Sequence, residues 1–530
     1  MRNKTLWFAG FVVLALTITV PMSAADRVKV EGGTIEGTTG DDHTVRIFRG
    51  VPFAAPPVGD LRWKAAQPVK PWPDIRKATE FGARCMQLPV FSDMVFRDPG
   101  PSEDCLYLNV WTPAKTANEH LPVILWFYGG GFVAGSSSEA RYDGENLAKK
   151  GVVVVSPNYR LGIFGFFAHP GLRKESGHNA SGNYGLLDQV AALQWVHNNI
   201  AAFGGDPNNV TISGESAGSS SVSALMAAPL AQGLFHKAIG ESGAFFPSGR
   251  PPRSSQSSRE AENSGAKFAA SLNAPTIKDL RAKPAAEVLQ ATASDPFQFG
   301  TIIDGYFLPG SVPSIYAGGK QSHVPLLAGW NADEGKGNIL FAEQKPTAKT
   351  FAEQARARWG NKANAFLKLY PAGTDEQALK SAEELAGDDF IAYSTWRWIN
   401  AQVNTGHAPV YAYLFEQVPA EKPGAMIGDV PASAQGARHS GEIEYVFQML
   451  KWLDKPWTPE DFQVADTMSS FWVNFARSGD PNGKGLPQWP PYESSNRFQV
   501  MHFIGKDSHA AAEAHRDRYE FMEGQAAHSK

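Results

Sequence analysis

The fold is decided by residues 209–218, Asn209-Val210-Thr211-Ile212-Ser213-Gly214-Glu215-Ser216-Ala217-Gly218. Residues 209–213 predict a strand, and the small residues of 219–227 predict a helix. Ser216 therefore stands where a strand turns sharply into a helix, inside a Gly-x-Ser-x-Gly motif. This context predicts a nucleophile elbow, a turn that projects a serine hydroxyl above a sheet. The flanking glycines leave the space that such a turn needs.

Outward from this turn, apolar runs alternate with helical segments. Continuous apolar runs occupy 121–127, 151–156, 324–329 and 410–415, as expected for strands buried on both faces of a parallel sheet. Apolar residues recur at helical spacing over 186–200 and 459–476. Strands that alternate with helices predict an α/β fold with right-handed crossovers.

Two further regions complete the predicted organisation. Short alternating runs at 28–30 and 44–49 predict strands, whereas the Pro- and Ser-rich residues of 250–259 predict a surface loop. Residues from about 261 to 392 are more polar and mostly helical in pattern. We therefore expect one domain over 26–530, with a mainly helical insertion at about 250–395.

The composition excludes a general nucleic-acid partner. Of the 530 residues, 43% are hydrophobic and 19% charged, with a formal net charge of -4. Phosphate binding needs a concentrated basic face, and no run of Lys and Arg supplies one. The expected partner is a small molecule.

The N-terminus predicts export. Arg2 and Lys4 precede the apolar stretch 6–20, and Ser23-Ala24-Ala25 supplies small residues at a cleavage point. This pattern predicts a signal peptide over 1–25, removed after Ala25, and a secreted or periplasmic protein without a stable membrane anchor. The alternative is an uncleaved anchor, since 6–25 could just span a bilayer.

The two cysteines, Cys85 and Cys105, predict one disulfide in an exported protein. Closing this loop stabilises the fold by about 3 kcal/mol in the chain-entropy model. Two free buried thiols are the alternative. We predict no metal site and no cofactor.

A serine hydroxyl becomes a nucleophile when a histidine takes its proton and a carboxylate orients that histidine. Among 13 histidines, His439 has the best setting, because it follows a polar loop beyond the strand predicted at 410–415. His178, His323 and His407 read as ordinary surface or loop residues. The acid should follow a core strand, as Asp333 and Glu334 both do. The residues alone leave these two open.

The oxyanion of an acyl-transfer intermediate needs backbone N–H donors. We expect one at Ala217 and others in the glycine-rich loop Tyr128-Gly129-Gly130-Gly131-Phe132, after an earlier strand. A phosphate-binding loop is the competing interpretation. The glycine spacing does not match a dinucleotide fingerprint, and no Gly-Lys-Ser/Thr follows.

With these residues in view, the sequence resembles the type-B carboxylesterases and cholinesterases of the α/β-hydrolase fold. The resemblance covers nearly all of the chain after residue 25. It is carried by segments with specific family motifs: 48–54, Arg62-Trp63, 102–110, Asn158-Tyr159-Arg160-Leu161-Gly162, 182–189, 203–207, 479–482 and Trp489-Pro490.

The resemblance implies roles for individual residues. It implies that Glu334 is the acid and His439 the base, with oxyanion donors at Gly130, Gly131 and Ala217. Ser242 is expected to hydrogen-bond the acid, Glu215 to support the imidazolium, and Cys85 to pair with Cys105. The implied activity is hydrolysis of carboxylic esters through an acyl-enzyme intermediate.

The chain also departs from its relatives. Tyr128 stands where many members have His, and the segment between the cysteines holds no Trp. The cholinesterases bind choline on a tryptophan in this segment, so the resemblance implies that the cation–π platform for choline is missing here. Choline esters are therefore poor candidates. A non-catalytic binding protein on the same scaffold, and cleavage of an amide, carbamate or thioester, are the alternative functions.

Residues around the expected pocket have two interpretations. Phe132, Phe245 and Phe246 either border the acyl side of the pocket or pack in the core. Arg97 and Arg438 either meet an anionic substrate or face water.

Overall fold

A computed structural model of the chain describes residues 27–248, 257–340, 342–427 and 430–526. The predicted signal peptide and its cleavage point lie outside these residues, as does most of the loop expected at 250–259. Within them, the central sheet has 11 strands. They are β1 (Thr38–Thr39), β2 (Arg46–Pro52), β3 (Tyr107–Thr112), β4 (Leu121–Phe127), β5 (Val153–Pro157), β6 (Gly205–Glu215), β7 (Lys237–Glu241), β8 (Leu326–Asn331), β9 (Val410–Phe415), β10 (Gln499–Phe503) and β11 (His509–Ala512).

The sheet is mostly parallel. Its strands lie in the order β11-β10-β9-β8-β7-β6-β4-β5-β3-β2-β1. All pairs from β10 to β5 are parallel, and the pairs at both edges are antiparallel. Residues of β5 and β8 are buried along their whole length, because helices cover both faces. The predicted α/β class and α/β-hydrolase architecture are confirmed.

Helices connect and cover the strands. In chain order they are α1 (Glu145–Ala148), α2 (Gly162–Phe166), α3 (Pro170–Glu175), α4 (Tyr184–Asn199), α5 (Ala217–Ala227), α6 (Ser258–Ser271), α7 (Ile277–Ala282), α8 (Ala285–Gln290), α9 (Val312–Ala317), α10 (Lys336–Leu340), α11 (Ala348–Trp359), α12 (Ala363–Leu369), α13 (Asp375–Gly387), α14 (Tyr393–Thr405), α15 (Ile443–Val446), α16 (Pro459–Ser478) and α17 (Arg516–Ala526). Helices α6–α14 fill most of 258–405, interrupted by β8. No helix in the described ranges is both long and apolar enough to cross a membrane.

Small sheets flank the main one. Strands Arg27–Val30, Gly33–Glu36 and Arg76–Lys77 form one, and two-stranded pairs join Arg84–Cys85 to Pro101–Ser102 and Met426–Ile427 to Val430–Pro431. In the central sheet, the carboxyl ends of β6, β7 and β8 lie at one edge, because these neighbours are parallel. The segments that follow β6 and β8 carry Ser216 and Glu334, and His439 follows β9, the parallel neighbour of β8.

Candidate active site

Ser216 occupies a strained turn between β6 and α5. Its φ is 55° and its ψ is -116°, a conformation that costs free energy for a residue with a Cβ. Its amide donates to the Glu241 carbonyl at 2.8 Å, which fixes the turn. A Cβ on Gly218 would lie 1.9 Å from the Phe127 carbonyl oxygen, so this position requires glycine. The Ser216 side chain is half-buried and remains reachable from solvent.

The imidazole of His439 connects Ser216 to Glu334. Its Nε2 lies 2.9 Å from Ser216 Oγ, and its Nδ1 lies 2.6 Å from Glu334 Oε2. The Glu334 side chain is 1% exposed, and its other oxygen accepts from the Asn331 amide at 2.9 Å. Such an arrangement can take the serine proton and stabilise the resulting imidazolium.

Asp333, the other candidate for the acid, does not contact the imidazole and instead faces the backbone of Ala437. Its carboxylate accepts from the Ala437 amide at 2.8 Å, and its own amide donates to the Ala437 carbonyl at 3.0 Å. A Cβ on Gly436 would lie 2.0 Å from this carboxylate. Asp333 therefore ties down the loop that leads to His439.

Buried carboxylates surround the imidazole. Glu215 Oε1 lies 3.2 Å from His439 Nε2, close enough for the support of the imidazolium that the resemblance implied. Burial raises the pKa of the Glu215 carboxyl above its usual range. Burial also disfavours a charged imidazole, but Glu334 and Glu215 outweigh this and raise the pKa of His439.

Ser242 differs from the expectation. Its hydroxyl donates to Glu442 Oε1 at 3.4 Å instead of bonding Glu334. The other Glu442 oxygen accepts from the Asn331 side-chain amide at 2.6 Å. Asn331 thus binds two carboxylates, Glu334 through its backbone N–H and Glu442 through its side chain. Ser242 contacts the second of these, Glu442, and not the carboxylate that faces His439. Sequence reasoning missed Asn331 and Glu442, although Glu442 lies only three residues after His439.

The glycine loop after β4 lies against the nucleophile. A Cβ on Gly129 would lie 3.1 Å from Ser216 Cβ. Gly130 and Gly131 have φ angles of 97° and 62°, which favour glycine. In the described part of the chain, the amides of Gly130, Gly131 and Ala217 donate to no protein acceptor. They can therefore serve an oxyanion beside Ser216.

The family model for the carboxylesterase family matches residues 24–522. The chain belongs to this family. The carboxylesterase is 37% identical over 501 residues to fumonisin B1 esterase of Sphingopyxis macrogoltabida, covering 89% of this chain and 85% of that protein. It is 36% identical over 486 residues to para-nitrobenzyl esterase of Bacillus subtilis (strain 168), covering 89% and 94%.

A solved PNB esterase structure superposes on this carboxylesterase with a TM-score of 0.76 and 34% identity. The match covers 94% of this chain and 99% of that one. The enzyme is a carboxylic ester hydrolase.

Aromatic side chains border the site of the esterase. Phe132 and Phe245 are half-buried and stack at 5.5 Å between ring centroids, whereas Phe246 packs on Tyr316 in the core. Two further phenylalanines were not singled out in the sequence. A Cβ on Gly131 would lie 2.7 Å from Phe297, and the Phe390 ring lies 5.1 Å from that of His439. Phe390 belongs to the π-helical turn Asp388–Ala392, a distortion frequent at functional sites.

The disulfide predicted between Cys85 and Cys105 of the esterase is present. The loop that it closes reaches the glycine loop, since a Cβ on Gly130 would lie 2.9 Å from the Met94 methyl. Arg97 in this loop donates to the Ser138 carbonyl and pairs with Asp143 at 2.9 Å. Its guanidinium is therefore engaged within the protein, whereas Arg438 is half-buried.

Across the four described ranges, no group of three or more His, Cys, Asp or Glu side chains has the arrangement that holds a metal ion.

Proposed function

We propose that Ser216, His439 and Glu334 form the catalytic triad of this ester hydrolase. The observation that carries the proposal is the continuous contact from Ser216 Oγ to His439 Nε2, at 2.9 Å, and from His439 Nδ1 to Glu334, at 2.6 Å. Neutral His439 accepts the serine proton as Ser216 attacks the ester carbonyl. Glu334 holds the imidazole in the tautomer that presents a free Nε2 lone pair.

The amides of Gly130, Gly131 and Ala217 stabilise the oxyanion of the tetrahedral intermediate. His439 then protonates the departing alcohol, and water hydrolyses the acyl-enzyme by the same steps in reverse order. Glu215, at 3.2 Å from His439 Nε2, supports the positive imidazole during each transfer.

We propose that the substrates are small esters with apolar acyl groups. Phe132, Phe245 and Phe297 lie around the glycine loop, and an apolar lining favours hydrophobic groups. The loop between the cysteines offers no indole for a quaternary ammonium. Relative rates across a series of acyl chain lengths and alcohol sizes, with choline esters included, test this preference.

Replacement of the nucleophile tests the triad. Ser216→Ala should lower kcat by about 10⁴-fold or more, because the remaining oxyanion donors cannot replace the nucleophile. A fluorophosphonate probe should label the wild type once per chain and leave Ser216→Ala unlabelled. Ser220→Ala, one helical turn further on, is the matched control and should keep both activity and labelling. Labelling that persists in Ser216→Ala would mean that another residue is the nucleophile, and an unlabelled wild type would favour a binding protein.

We propose that the enzyme is exported and that its signal peptide is removed after Ala25. The charged start, the apolar core and the small residues of 1–25 support this. We further propose that residues 26–530 form one domain, with the helices of about 250–395 as an insertion. Mass spectrometry of protein recovered from the periplasm or medium should give Asp26 as the first residue, whereas an intact N-terminus would contradict cleavage.

A further inference from the structure

Arg141 is a buried cation beside the proposed active site. It lies in the turn Ala140–Tyr142, beyond the glycine loop, and its side chain is 11% exposed. Its Nε lies 3.1 Å from Glu139 Oε1, and its Nη2 lies 3.5 Å from Glu444 Oε1. These two carboxylate side chains are 4% and 5% exposed, so the group is a buried ion triad.

The same guanidinium reaches two further segments. Its Nη1 donates to the hydroxyl of Ser440 at 3.3 Å, and Ser440 directly follows His439. Its Nη2 lies 3.7 Å from Asp93, which is 54% exposed on the disulfide loop. Arg141 thus joins the segment after the oxyanion glycines, the disulfide loop and the segment around His439.

A buried ion triad of this kind contributes little net stability to a fold. Desolvation of buried charges offsets much of their attraction, and apolar residues of similar volume often stabilise a fold as well or better. A buried triad is better explained where it enforces one arrangement of the chain. Ser440 has a φ of 62°, a conformation that a non-glycine residue keeps only where its surroundings hold it.

The segment carrying His439 is held at both ends. Asp333 binds the backbone of Ala437 on the upstream side. On the downstream side, Arg141 binds the Ser440 hydroxyl and pairs with Glu444 in α15. The imidazole lies between these anchors, so its direction toward Ser216 depends on both.

We infer that Arg141 is a positioning residue that fixes the orientation of His439 for proton transfer. The inference rests on the proposed triad, and it assigns to Arg141 no contact with substrate. Loss of the guanidinium should let the imidazole leave its line with Ser216 Oγ, which lowers the rate of acylation while substrate binding is kept.

Replacement of Arg141 separates positioning from folding. Arg141→Met should lower kcat about 10- to 100-fold with KM within about threefold of wild type, because the change acts on chemistry and not on binding. Arg141→Lys keeps the charge but lacks the guanidinium nitrogen that reaches Ser440, so it should recover only part of kcat. The rate of fluorophosphonate labelling at Ser216 should fall in parallel with kcat.

Arg281→Met is the matched control. Arg281 is 10% exposed and pairs with Glu175, but it contacts none of the proposed triad residues. It should lower Tm by a similar amount to Arg141→Met and keep kcat within about twofold. An Arg141→Met enzyme with wild-type kcat, or an equal loss in both variants, overturns the inference.

A second measurement covers the case in which Arg141→Met does not fold. Arg141→Lys and Ser440→Ala are combined, and their effects on log kcat are compared. Effects that are not additive support the contact, whereas additive effects overturn it. A wild-type enzyme that is not labelled at Ser216 would instead refute the proposed triad, so the two failures are distinguishable.

Discussion

At the scale of single residues, two adjacent carboxylates serve different partners. Glu334 faces the imidazole of His439, whereas Asp333 accepts from the backbone of Ala437. The chain leaves β8 at Asn331, and the turn that follows points the two side chains in different directions. One carboxylate therefore contacts the proposed base, and the other contacts the loop that carries it.

Conservative amide replacements should separate these roles. Glu334→Gln should lower kcat about 10³- to 10⁴-fold, because the amide no longer fixes the imidazole tautomer or stabilises its positive form. Asp333→Asn should cost about tenfold or less, since the backbone bond to the Ala437 carbonyl survives. Steady-state rates with a chromogenic ester measure both. A larger loss in Asp333→Asn than in Glu334→Gln would contradict the assignment.

The fall of kcat/KM at low pH should depend on the carboxylates around His439, because they set the pKa of its imidazole. The base acts when neutral, and Glu334 and Glu215 raise its pKa, so kcat/KM should fall as the pH drops with a midpoint above about 6.5. Glu215→Gln removes a negative charge near Nε2, which destabilises the imidazolium and lowers its pKa. The midpoint should therefore move to lower pH. Rates from pH 5 to 10 test this, and a midpoint that moves upward would refute it.

At the scale of elements, the proposed oxyanion site depends on the approach of the glycine loop to the β6–α5 turn. Helix α5 begins at Ala217, directly after Ser216, so its first amides have no carbonyl partner within the helix. The loop after β4 brings Gly130 and Gly131 to the same place. Neither element supplies all the donors by itself.

A methyl group in this loop should disrupt the site by sterics alone. Gly129 has no positive φ, but a Cβ there would lie 2.5 Å from Glu215 Oε2 and 3.1 Å from Ser216 Cβ. Gly129→Ala should therefore displace the loop and lower kcat about 10²-fold. Gly300→Ala is the control, because no atom lies within 4 Å of its added Cβ. Equal rates for the two variants would show that the loop has room to move.

At the scale of the whole molecule, the disulfide connects stability to the site. Cys85 and Cys105 are each 1% exposed. In the loop between them, Met94 lies against Gly130, and Asp93 lies near Arg141. The bond restricts the unfolded chain and also holds this loop over the glycines.

Removal of the disulfide should destabilise the fold. Replacement of both cysteines by serine should lower the free energy of unfolding by about 3 kcal/mol, because the unfolded chain regains the entropy of an open loop. Urea denaturation, with the wild type in the presence and absence of reductant as control, measures the change. An unchanged denaturation midpoint would show that packing alone holds the loop.

Much of the fold was readable from the sequence because it depends on local patterns. The strand predicted at 410–415 has the bounds of β9, and the helix predicted at 459–476 ends two residues early. Apolar runs and helical spacing indicate which faces of the strands and helices are buried. Glycines indicate positions where a side chain would not fit. The helix predicted to follow the Ser216 turn directly begins at Ala217, as the strand-turn-helix pattern requires.

The sequence by itself determined the α/β class, the strand-turn-helix at Ser216 and the histidine segment. Its residues could not choose between Asp333 and Glu334, and the resemblance that chose Glu334 assigned Ser242 a bond to the wrong carboxylate. The tertiary structure decided these contacts, as well as those of Arg141. The Glu334–His439, Ser242–Glu442 and Arg141–Ser440 contacts join residues 105, 200 and 299 positions apart. A partner at that distance depends on how the parallel strands align, which local spacing does not record.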